Sequence, residues 1–492
     1  MTAEHVDVLV VGAGLSGVGA AYRLQTRCPT RSYAIVEGRS TMGGTWDLFR
    51  YPGVRSDSDM HTLGYPFRPW ENPKAIADAP AIKRYIEETA AAYGIDRKIR
   101  YQHRVTRAEW SSDDARWTVD VEVGPERVPA SLTCCFLYAC TGYYDYDRGY
   151  TPEWPGRERF AGRVVHPQQW PADLDYAGQR VVVIGSGATA VTLVPALAER
   201  ASHVTMLQRS PSYVVEQPTQ DVIANWLRRL LPARAAYRLT RWKNVLRGMF
   251  FYSLARTRPA LMKRIIRRGV RQALGAEYDV DTHFAPRYNP WDERLCIVPD
   301  ADLFRTLKSG RASIVTDQID TFTETGLRLR SGAHVDADLI VTATGLNLKV
   351  LSGVTLVVDG APVDLSKVTA YKGTMYSGVP NLASAFGYTN ASWTLKCDLV
   401  AEYVCRLLNT MERRGYAACT PRLSDGAVDT RPALDITAGY VQRALPSLPR
   451  QGSRGPWRVH QNYVRDLVAM RHGRVEDDAM EFRPASRPGR LS

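Results

Sequence analysis

The stretch Asp7-Val8-Leu9-Val10-Val11-Gly12-Ala13-Gly14-Leu15-Ser16-Gly17 decides the fold of the first part of the chain. An apolar strand runs into three glycines with the spacing of a dinucleotide-binding turn, and a helix-compatible stretch follows. A second apolar strand, Ser32–Val36, ends at Glu37, where a carboxylate can hydrogen-bond a ribose hydroxyl. With strands on both sides of the glycines, the pattern predicts a complete βαβ unit whose helix N-terminus faces the phosphates.

A second βαβ unit begins at Arg180. Its first strand, Arg180–Ile184, leads into Gly185-Ser186-Gly187-Ala188-Thr189-Ala190, and its second strand ends in Gln208-Arg209-Ser210. Neutral Gln208 takes the place of the first unit's acid, and the guanidinium of Arg209 can pair with a 2′-phosphate. We therefore predict an α/β fold with two Rossmann-like domains, the second of which prefers NADPH to NADH.

The linker between the two units, residues 160–171, reads Phe160-Ala161-Gly162-Arg163-Val164-Val165-His166-Pro167-Gln168-Gln169-Trp170-Pro171. Its prolines, glutamines and glycine argue against a regular helix or a buried strand, so we predict an ordered linker. We expect the imidazole and the indole to face the cleft between the lobes. Taken alone, His166 as a satisfied core histidine and Trp170 as a packing residue are the preferred interpretations.

A glycine-rich stretch follows the first unit and reads Gly43-Gly44-Thr45-Trp46-Asp47-Leu48-Phe49-Arg50-Tyr51-Pro52-Gly53-Val54-Arg55-Ser56-Asp57. Its glycines, proline and polar residues predict a loop. For Asp57, a surface carboxylate in a turn is the alternative interpretation.

Together the linker and the loop resemble the two long signatures of the type I Baeyer-Villiger monooxygenases. Three further stretches, Met42–Trp70, Tyr288–Pro299 and Gly387–Lys396, are similar to a mycobacterial branch of that family which also oxidises the sulfur of thioamides and sulfides. The resemblance implies FAD and NADPH as cofactors. It assigns to FAD the residues Gly12, Gly14, Ser16, Gly17, Glu37, Gly44, Thr45, Trp46, Asp57 and Val105, and to NADP the residues Arg55, Ser56, Asp57, Gly185, Ser186, Gly187, Ala188, Thr189, Ala190, Arg209 and Ser210.

The resemblance also implies the chemistry. A C4a-peroxyflavin, protected by retained NADP⁺ and excluded water, inserts one oxygen atom from O₂ into a ketone to give an ester or lactone, or transfers it to sulfur. Arg294 matches the arginine that stabilises the anionic species, and Asp57 would orient it. The signature residues Phe160, Gly162, His166, Trp170 and Pro171 are expected to couple the lobes. Glu293 departs from the family, which often has a lysine there, and this places more of the phosphate recognition on Arg209 and Ser210.

The net charge of +13 comes from one segment, because residues 222–275 contain fourteen basic residues and no acidic one. Apolar residues at helical spacing, such as Trp242, Val245, Leu246 and Met249, predict amphipathic helices inserted into the second domain. Three interpretations stay open for this insertion. It covers the substrate entrance, lies on an anionic membrane surface, or is a solvated face that attracts NADPH.

The remaining composition predicts a globular, cytoplasmic protein, either soluble or peripherally attached to a membrane, with no metal site. The eight cysteines have no C-x-x-C spacing, which argues against a flavin disulfide reductase and favours reduced, buried thiols. We expect a small-molecule ketone or sulfur substrate and no nucleic-acid partner. Two alternatives remain: a nitrogen- and sulfur-oxidising flavin monooxygenase without Baeyer-Villiger activity, and a basic polyanion-binding protein with a vestigial nucleotide fold.

The predicted organisation is discontinuous. We assign residues 1–150 and 347–482 to the FAD domain, 151–217 and 291–346 to the NADP domain, 218–290 to the helical insertion, and 483–492 to a disordered tail.

Overall fold

The computed structural model describes residues 4–293, 295–424, 426, 428–434 and 436–485. The first part of the chain alternates strands and helices, as the glycine pattern predicts. Its elements are β1 (Glu4–Val11), α1 (Leu15–Arg27), β2 (Tyr33–Val36), α2 (Thr45–Leu48), α3 (Met60–Leu63), α4 (Ala79–Ala92), β3 (Ile99–Arg100), β4 (His103–Ser111), β5 (Arg116–Val123) and β6 (Val128–Ala139).

The middle part holds the second βαβ unit and the basic helices. Its elements are β7 (Tyr144–Gly149), β8 (Arg163–Val165), β9 (Arg180–Ile184), α5 (Ala188–Leu197), β10 (His203–Gln208), β11 (Val214–Gln217), α6 (Val222–Leu230), α7 (Ala233–Thr257), α8 (Pro259–Leu274), α9 (Val280–His283), β12 (Cys296–Pro299), α10 (Asp302–Lys308), β13 (Ala312–Thr316), β14 (Ile319–Thr323), β15 (Gly326–Leu329), β16 (His334–Asp336), β17 (Leu339–Thr342) and β18 (Leu346–Leu348).

The C-terminal part consists of short strands around one long helix. Its elements are β19 (Thr355–Val358), β20 (Ala361–Pro362), β21 (Ala370–Tyr371), β22 (Met375–Tyr376), β23 (Leu382–Ser384), α11 (Trp393–Arg414), β24 (Tyr416–Pro421), β25 (Thr430–Pro432), α12 (Gly439–Ala444), β26 (Arg450–Gly452), α13 (Tyr463–Arg471) and β27 (Met480–Pro484).

Two large β-sheets form the frameworks of the two domains. The first runs in the order β20-β19-β4-β5-β6-β1-β2-β3, with β23 beside β6, so strands from both ends of the chain share it. The second is a five-stranded sheet in the order β13-β10-β9-β17-β8, and all of its pairings are parallel. Each has a glycine turn at the end of a central strand, β1 or β9. The expected pair of Rossmann-like domains is confirmed.

The helices of the basic segment pack on both domains. The inner face of α8 buries Met262, Ile266, Val270 and Leu274 in the core of the second domain. On α7, Tyr237 reaches the core of the first domain, while Val245 joins a small cluster with Tyr388. Among the helices of the described residues, none is both long and apolar enough to cross a membrane.

Three local predictions were wrong. The linker 160–171 contains β8, whose backbone pairs with β17 on one side, so an edge strand forms despite the flanking prolines. The loop 43–57 contains the one-turn helix α2, which begins after Gly44. The segment predicted as a disordered tail begins inside β27, where Arg483 and Pro484 pair with β24. Residues 486–492 of that tail lie outside the described residues.

Candidate active site

The first glycine turn leaves a helix N-terminus open for an anion. Gly12 has a φ of +105°, and a side-chain carbon there would lie 2.6 Å from the carbonyl oxygen of Cys140. A side chain at Gly17 would lie 1.8 Å from the carbonyl oxygen of Gly12, so only glycine permits this packing. No side chain caps α1 after Gly14. Its first amide groups can therefore bind a phosphate.

The second turn repeats this geometry. Gly185 has a φ of +137°, and a side-chain carbon there would lie 2.3 Å from the carbonyl oxygen of Ala343. Helix α5 begins after Gly187, again without a side-chain cap. In both units the first glycine thus packs on the turn that follows a neighbouring parallel strand, β6 in one unit and β17 in the other. The two turns are equivalent anion sites.

One cavity of about 440 Å³ brings residues of both units together. All the residues assigned to FAD line it except Gly17: Gly12, Gly14, Ser16, Glu37, Gly44, Thr45, Trp46, Asp57 and Val105. The residues assigned to NADP divide into two groups. Arg55, Ser56, Asp57, Ala188 and Thr189 line the cavity, whereas Gly185, Ser186, Gly187, Ala190, Arg209 and Ser210 are not part of its lining.

Glu37 is held at the end of β2 by backbone donors. Its carboxylate accepts hydrogen bonds from the N–H groups of Ala13 at 2.8 Å and Arg39 at 3.0 Å. Burial raises the pKa of Glu37, and these two donors oppose that effect. The carboxylate faces the cavity next to the glycine turn, so the remaining acceptor positions point to a hydroxyl-bearing ligand.

The loop 43–57 is fixed by a buried acid. Asp47 forms ion pairs with Arg39 and with Lys83, the latter at 2.7 Å. Burial alone would raise the pKa of Asp47, but the Lys83 hydrogen bond and the two cations hold it below its usual value. This network orients α2, whose first residue, Thr45, contacts the Tyr146 hydroxyl at 3.3 Å. The role of Asp47 could not be predicted from the sequence, because Lys83 is distant in the chain.

Arg55 connects the two domains at the cavity. Its Nη1 lies 2.5 Å from Oδ2 of Asp302, at the start of α10. Its Nη2 is buried and has no hydrogen-bond partner within the described part of the chain. A buried donor without a partner is costly, so this edge of the guanidinium is suited to an anionic ligand in the cavity. Asp57, two residues later, is exposed at the same wall.

The sequence did not predict the stacked pair of Tyr143 and Trp393, which we call the aromatic wall of the cavity. Tyr143 and Trp393 stack with ring centroids 5.0 Å apart, and both line the cavity. The indole N–H of Trp393 donates to Ser16 Oγ at 2.9 Å, which ties α11 to the first glycine turn. Burial raises the pKa of Tyr146, on the opposite side of the turn, to about 12. The stretch Gly387–Lys396 drew attention to Trp393, but only the fold brings it to α1.

The linker residues lie away from the cavity. The His166 ring packs on Gly149, its Nε2 lies 3.1 Å from the Gly345 carbonyl oxygen, and its Nδ1 accepts from Gln168 N–H. Burial lowers the pKa of His166. Trp170 packs against Tyr176. Neither ring lines the cavity: His166 contacts the backbone at Gly149 and Gly345, and Trp170 packs against the core of the second domain.

The other linker residues support the second domain. Phe160 is buried in a cluster with Phe322. A side-chain carbon at Gly162 would lie 2.3 Å from the Asp338 carbonyl oxygen, so the chain passes close to the sheet there. Pro171 is half-buried after the indole.

Arg209 and Ser210, which are expected to bind the 2′-phosphate, differ in their surroundings from the neighbouring Gln208. Gln208 is buried, and its amide donates to the His283 carbonyl and to Thr316 Oγ1, so it supports α9 and β13 instead of facing a ribose. Arg209 and Ser210 are exposed. Burial raises the pKa of Glu293, and the positive charge of Arg209 opposes this shift.

Arg294, the predicted catalytic residue, lies outside the described residues. Seven of the eight cysteines are buried, as predicted, Cys135 is half-buried, and none of the eight, all of which lie in the described ranges, forms a disulfide. The side chains of His5, Asp7 and Cys135 are close enough to one another to hold a metal ion, but the three residues are exposed or half-buried and none of them lines the cavity.

Two glycine turns of the same geometry, each followed by a helix that lines one cavity, define the class of proteins that bind two dinucleotides. The flavin-binding monooxygenase-like family matches residues 63–350, and an NAD(P)-binding Rossmann-like domain matches residues 10–78. The chain belongs to the flavin-binding monooxygenase-like family. The expectation of a flavin-dependent monooxygenase is confirmed.

Relatives of the whole chain agree with this assignment. The FAD-containing monooxygenase EthA of Mycobacterium tuberculosis is 54% identical over 486 residues, which are 99% of either chain. The putative FAD-containing monooxygenase MymA of the same organism is 50% identical over 98% of either chain. The probable FAD-binding monooxygenase AlmA of Acinetobacter baylyi is 45% identical, over 97% of this chain and 96% of that relative.

Solved structures show the same fold at lower identity. A steroid monooxygenase bound to NADP has a TM-score of 0.75 and 24% identity over 98% of this chain and 100% of its own. An open form of cyclohexanone monooxygenase has a TM-score of 0.76 and 20% identity with the same coverage.

Proposed function

We propose that the protein is an FAD- and NADPH-dependent monooxygenase that inserts one oxygen atom into ketones and transfers oxygen to the sulfur of sulfides or thioamides. One observation carries the proposal: a single cavity is lined by nine of the ten residues assigned to FAD and by five of the eleven residues assigned to NADP. The relatives named as FAD-containing monooxygenases support the flavin, and the neighbour bound to NADP supports the nicotinamide cofactor.

The cavity fits a dinucleotide on structural grounds. One side of the cavity offers the groups that bind a dinucleotide. The open N-terminus of α1 provides hydrogen-bond donors, the close approach of Gly14 to Gly44 leaves space, and the Glu37 carboxylate provides acceptors. A side-chain carbon at Gly14 would lie only 3.5 Å from the Gly44 α-carbon, so the backbone is bare where a pyrophosphate would pass. Gly12, Gly14, Ser16, Glu37, Thr45 and Trp46 would hold FAD.

The second cofactor would bind against α5. Gly185–Ala190 form its phosphate turn, Arg209 and Ser210 its outer contacts, and Arg55 reaches the cavity from the first domain. When both cofactors are bound, the reduced flavin supplies activated oxygen with NADPH as the electron source. The chain's own residues then exclude water and provide fixed charge: the aromatic wall covers one side, and Arg55 brings a cation to the other.

Baeyer-Villiger chemistry, and the roles of Arg294 and Asp57 in it, remain part of the proposal. The structural neighbours named for ketones, such as cyclohexanone monooxygenase and a polycyclic ketone monooxygenase from Thermothelomyces thermophila, favour a ketone substrate. Asp57 borders the cavity, where an acid can orient a neighbouring arginine. We also propose a cytoplasmic location, with residues 222–275 as the surface that approaches a membrane, and no nucleic-acid partner.

Arg294→Ala tests the proposal. We expect the variant to retain flavin and to be reduced by NADPH without oxygen, because hydride delivery does not need the cation. Ester formation from a ketone and ¹⁸O transfer from ¹⁸O₂ to a sulfide should both fall by about a hundredfold or more. The exposed Arg287→Ala is the matched control and should retain both reactions. Ester formation at the parent rate by Arg294→Ala would contradict the assigned role.

A further inference from the structure

The helices α6 and α7 expose an apolar surface of unusual extent. Of the fifteen large hydrophobic side chains exposed in the described part of the chain, eleven lie between residues 222 and 265. Single exposed apolar residues are ordinary, but such a concentration in one segment marks an interaction surface. We call the following set the apolar stripe: Val222, Ile223, Trp226 and Leu230 on α6, with Leu239, Trp242, Leu246 and Phe250 on α7.

The stripe is a face of these helices and not a failure of packing. Its members on α7 recur at intervals of three and four residues, so they lie along one side of the helix. The other side is buried, with Tyr237 and Val245 in contact with the body of the protein. Helix α6 lies beside α7, and Lys243 on α7 contacts Asp221, the N-cap of α6, at 2.6 Å. Both helices are thus held in place while Trp226 and Phe250 are 57% and 63% exposed.

Exposed arginine side chains lie on the same helices as the apolar stripe. Arg229, Arg234, Arg238 and Arg247 are exposed and form no ion pair with any described residue. The segment contains no acid of its own, and the acids that pair with it belong to flanking sequence: Asp221 with Lys243, Asp292 with Arg256, and Asp281 with Arg267 and Arg271. Exposed aromatic and aliphatic side chains among unpaired arginines are the pattern of a helix that lies in the interface of an anionic bilayer.

This pattern excludes other occupants on physical grounds. A second copy of the chain would bring two unpaired arginine clusters together, and like charges facing each other oppose a symmetric contact. Nucleic acid would satisfy the arginines but would leave the eight apolar side chains of the stripe in water. A bilayer with acidic headgroups satisfies both, because its charge meets the arginines and its acyl boundary takes up the apolar side chains.

We propose that the α6–α7 surface docks the protein on membranes that contain acidic phospholipids, with the apolar stripe inserted and the arginines at the headgroups. The inference rests on the proposed peripheral location and is independent of the oxygenation chemistry. Val245, on the inner face of the same helix, packs against Tyr388, which lines the cavity. Docking therefore places the bilayer one helix away from the cavity wall.

Flotation of the full-length, flavin-bound protein with vesicles tests the proposal. Vesicles of equal parts phosphatidylcholine and phosphatidylglycerol should carry the protein upwards, and vesicles of phosphatidylcholine alone should bind it at least about tenfold more weakly. Trp226→Ser combined with Phe250→Ser should reduce binding to the acidic vesicles by about tenfold or more, since both side chains would enter the interface. Arg234→Gln combined with Arg238→Gln should weaken binding at low salt.

Matched controls separate the surface from general effects. Val128→Ser combined with Val468→Ser removes two equally exposed apolar side chains elsewhere, and Arg157→Gln combined with Arg330→Gln removes the same charge elsewhere. Both controls should float like the parent. Flavin content and NADPH oxidation report that every variant is folded, and a protein that floats without oxygenating ketones would contradict the proposed reaction but not the docking.

Three results would overturn the inference. The first is the absence of flotation with acidic vesicles, and the second is an equal loss of flotation in the control variants. The third is a partner other than a membrane. A dimer in light scattering that Trp226→Ser with Phe250→Ser dissociates would assign the surface to a second copy. Tight, salt-dependent binding of duplex DNA that survives that variant, without flotation, would assign it to nucleic acid.

Discussion

Gly14 and Gly187 occupy equivalent positions at the two helix N-termini, and neither is required by packing within the chain. A side-chain carbon at Gly14 would be in ordinary contact with Gly44, and one at Gly187 would meet nothing within 4 Å. This differs from Gly12 and Gly185, where a side chain would collide with a carbonyl group. The space at Gly14 and Gly187 is therefore available to a ligand.

Replacing each of these two glycines with alanine should separate the cofactor sites. We expect Gly14→Ala to fold but to contain less flavin, because the methyl group occupies the path of the pyrophosphate. Gly187→Ala should keep its flavin and raise the KM for NADPH by about tenfold. Flavin absorbance per chain and steady-state NADPH oxidation measure the two effects. Gly248→Ala, in an open part of α7, is the control, and loss of flavin in Gly187→Ala would refute the separation.

At the residue scale, sequence reasoning succeeded where a residue acts through the backbone next to it. The glycines and Glu37 belong to turns that their neighbours define, so their environment could be predicted. The surroundings of His166 and Gln208 could not be predicted, because their hydrogen-bond partners, the carbonyls of Gly345 and His283, come from distant parts of the chain. No local pattern contains that information.

At the scale of elements, Arg241 joins the basic helix α7 to the small helix α3. Its Nη1 donates to the carbonyl oxygens of His61, Thr62 and Gly64 at 2.8, 3.1 and 2.8 Å. These carbonyls belong to the end of α3, where a helix leaves its last acceptors unsatisfied. Arg241 is buried, unlike most of the other basic residues of the segment. A cation at a helix C-terminus also complements the helix dipole.

Arg241→Met should therefore destabilise the attachment of α7. The methionine keeps the apolar bulk but leaves three buried acceptors without a donor, so we expect a loss of about 2 to 4 kcal/mol. Thermal unfolding and the rate of trypsin cleavage within residues 228–238 measure it. Arg247→Met, an exposed position on the same helix and outside the cleaved stretch, should change neither. An unfolding temperature equal to that of the parent would show that α3 does not depend on this contact.

The periodicity of α7 predicted a helix but not which of its apolar residues face the core. Trp242, Val245, Leu246 and Met249 satisfy one helical pattern, yet Val245 is buried and Trp242 and Leu246 are exposed. The same holds for α8, where Leu261 and Ile265 face outwards while Met262 and Ile266 face the core. A helix with apolar residues on two sides offers no local criterion for choosing between them.

On the scale of the whole molecule, the Arg55–Asp302 pair crosses from the first domain to the second beside the cavity. Both side chains are mostly buried, with exposures of 16% and 20%. A charged hydrogen bond in such a place resists separation of the domains more than a surface pair does. It also fixes the orientation of the guanidinium edge that has no partner in the chain.

Asp302→Asn tests this connection. The variant keeps the shape but removes the charge, so we expect about 1 to 3 kcal/mol less stability and a roughly three- to tenfold higher KM for NADPH with unchanged flavin content. Calorimetry and steady-state kinetics provide the measurements. Asp320→Asn, which removes an exposed pair with Arg328, is the control and should resemble the parent. An unchanged KM would argue against contact between Arg55 and the nicotinamide cofactor.

The fold of the whole chain was predictable because each βαβ unit carries its own glycine turn. The contact between domains was not, since Asp302 belongs to no recognisable motif and approaches Arg55 only after both sheets have formed. The aromatic wall could not be predicted for the same reason. Tyr143 and Trp393 are 250 positions apart in the sequence, and α11 brings them together.

The order of the first sheet has a consequence for how a ribosome makes this protein. Strands β19, β20 and β23 join β4 and β6 only after the whole second domain has been synthesised. Helix α11, which packs against α1 and carries Trp393 to the first glycine turn, emerges later still. The nascent first domain thus waits, with one edge of its sheet uncovered, until the chain is nearly finished. The second domain, whose five strands all lie between residues 163 and 342, can close before the first.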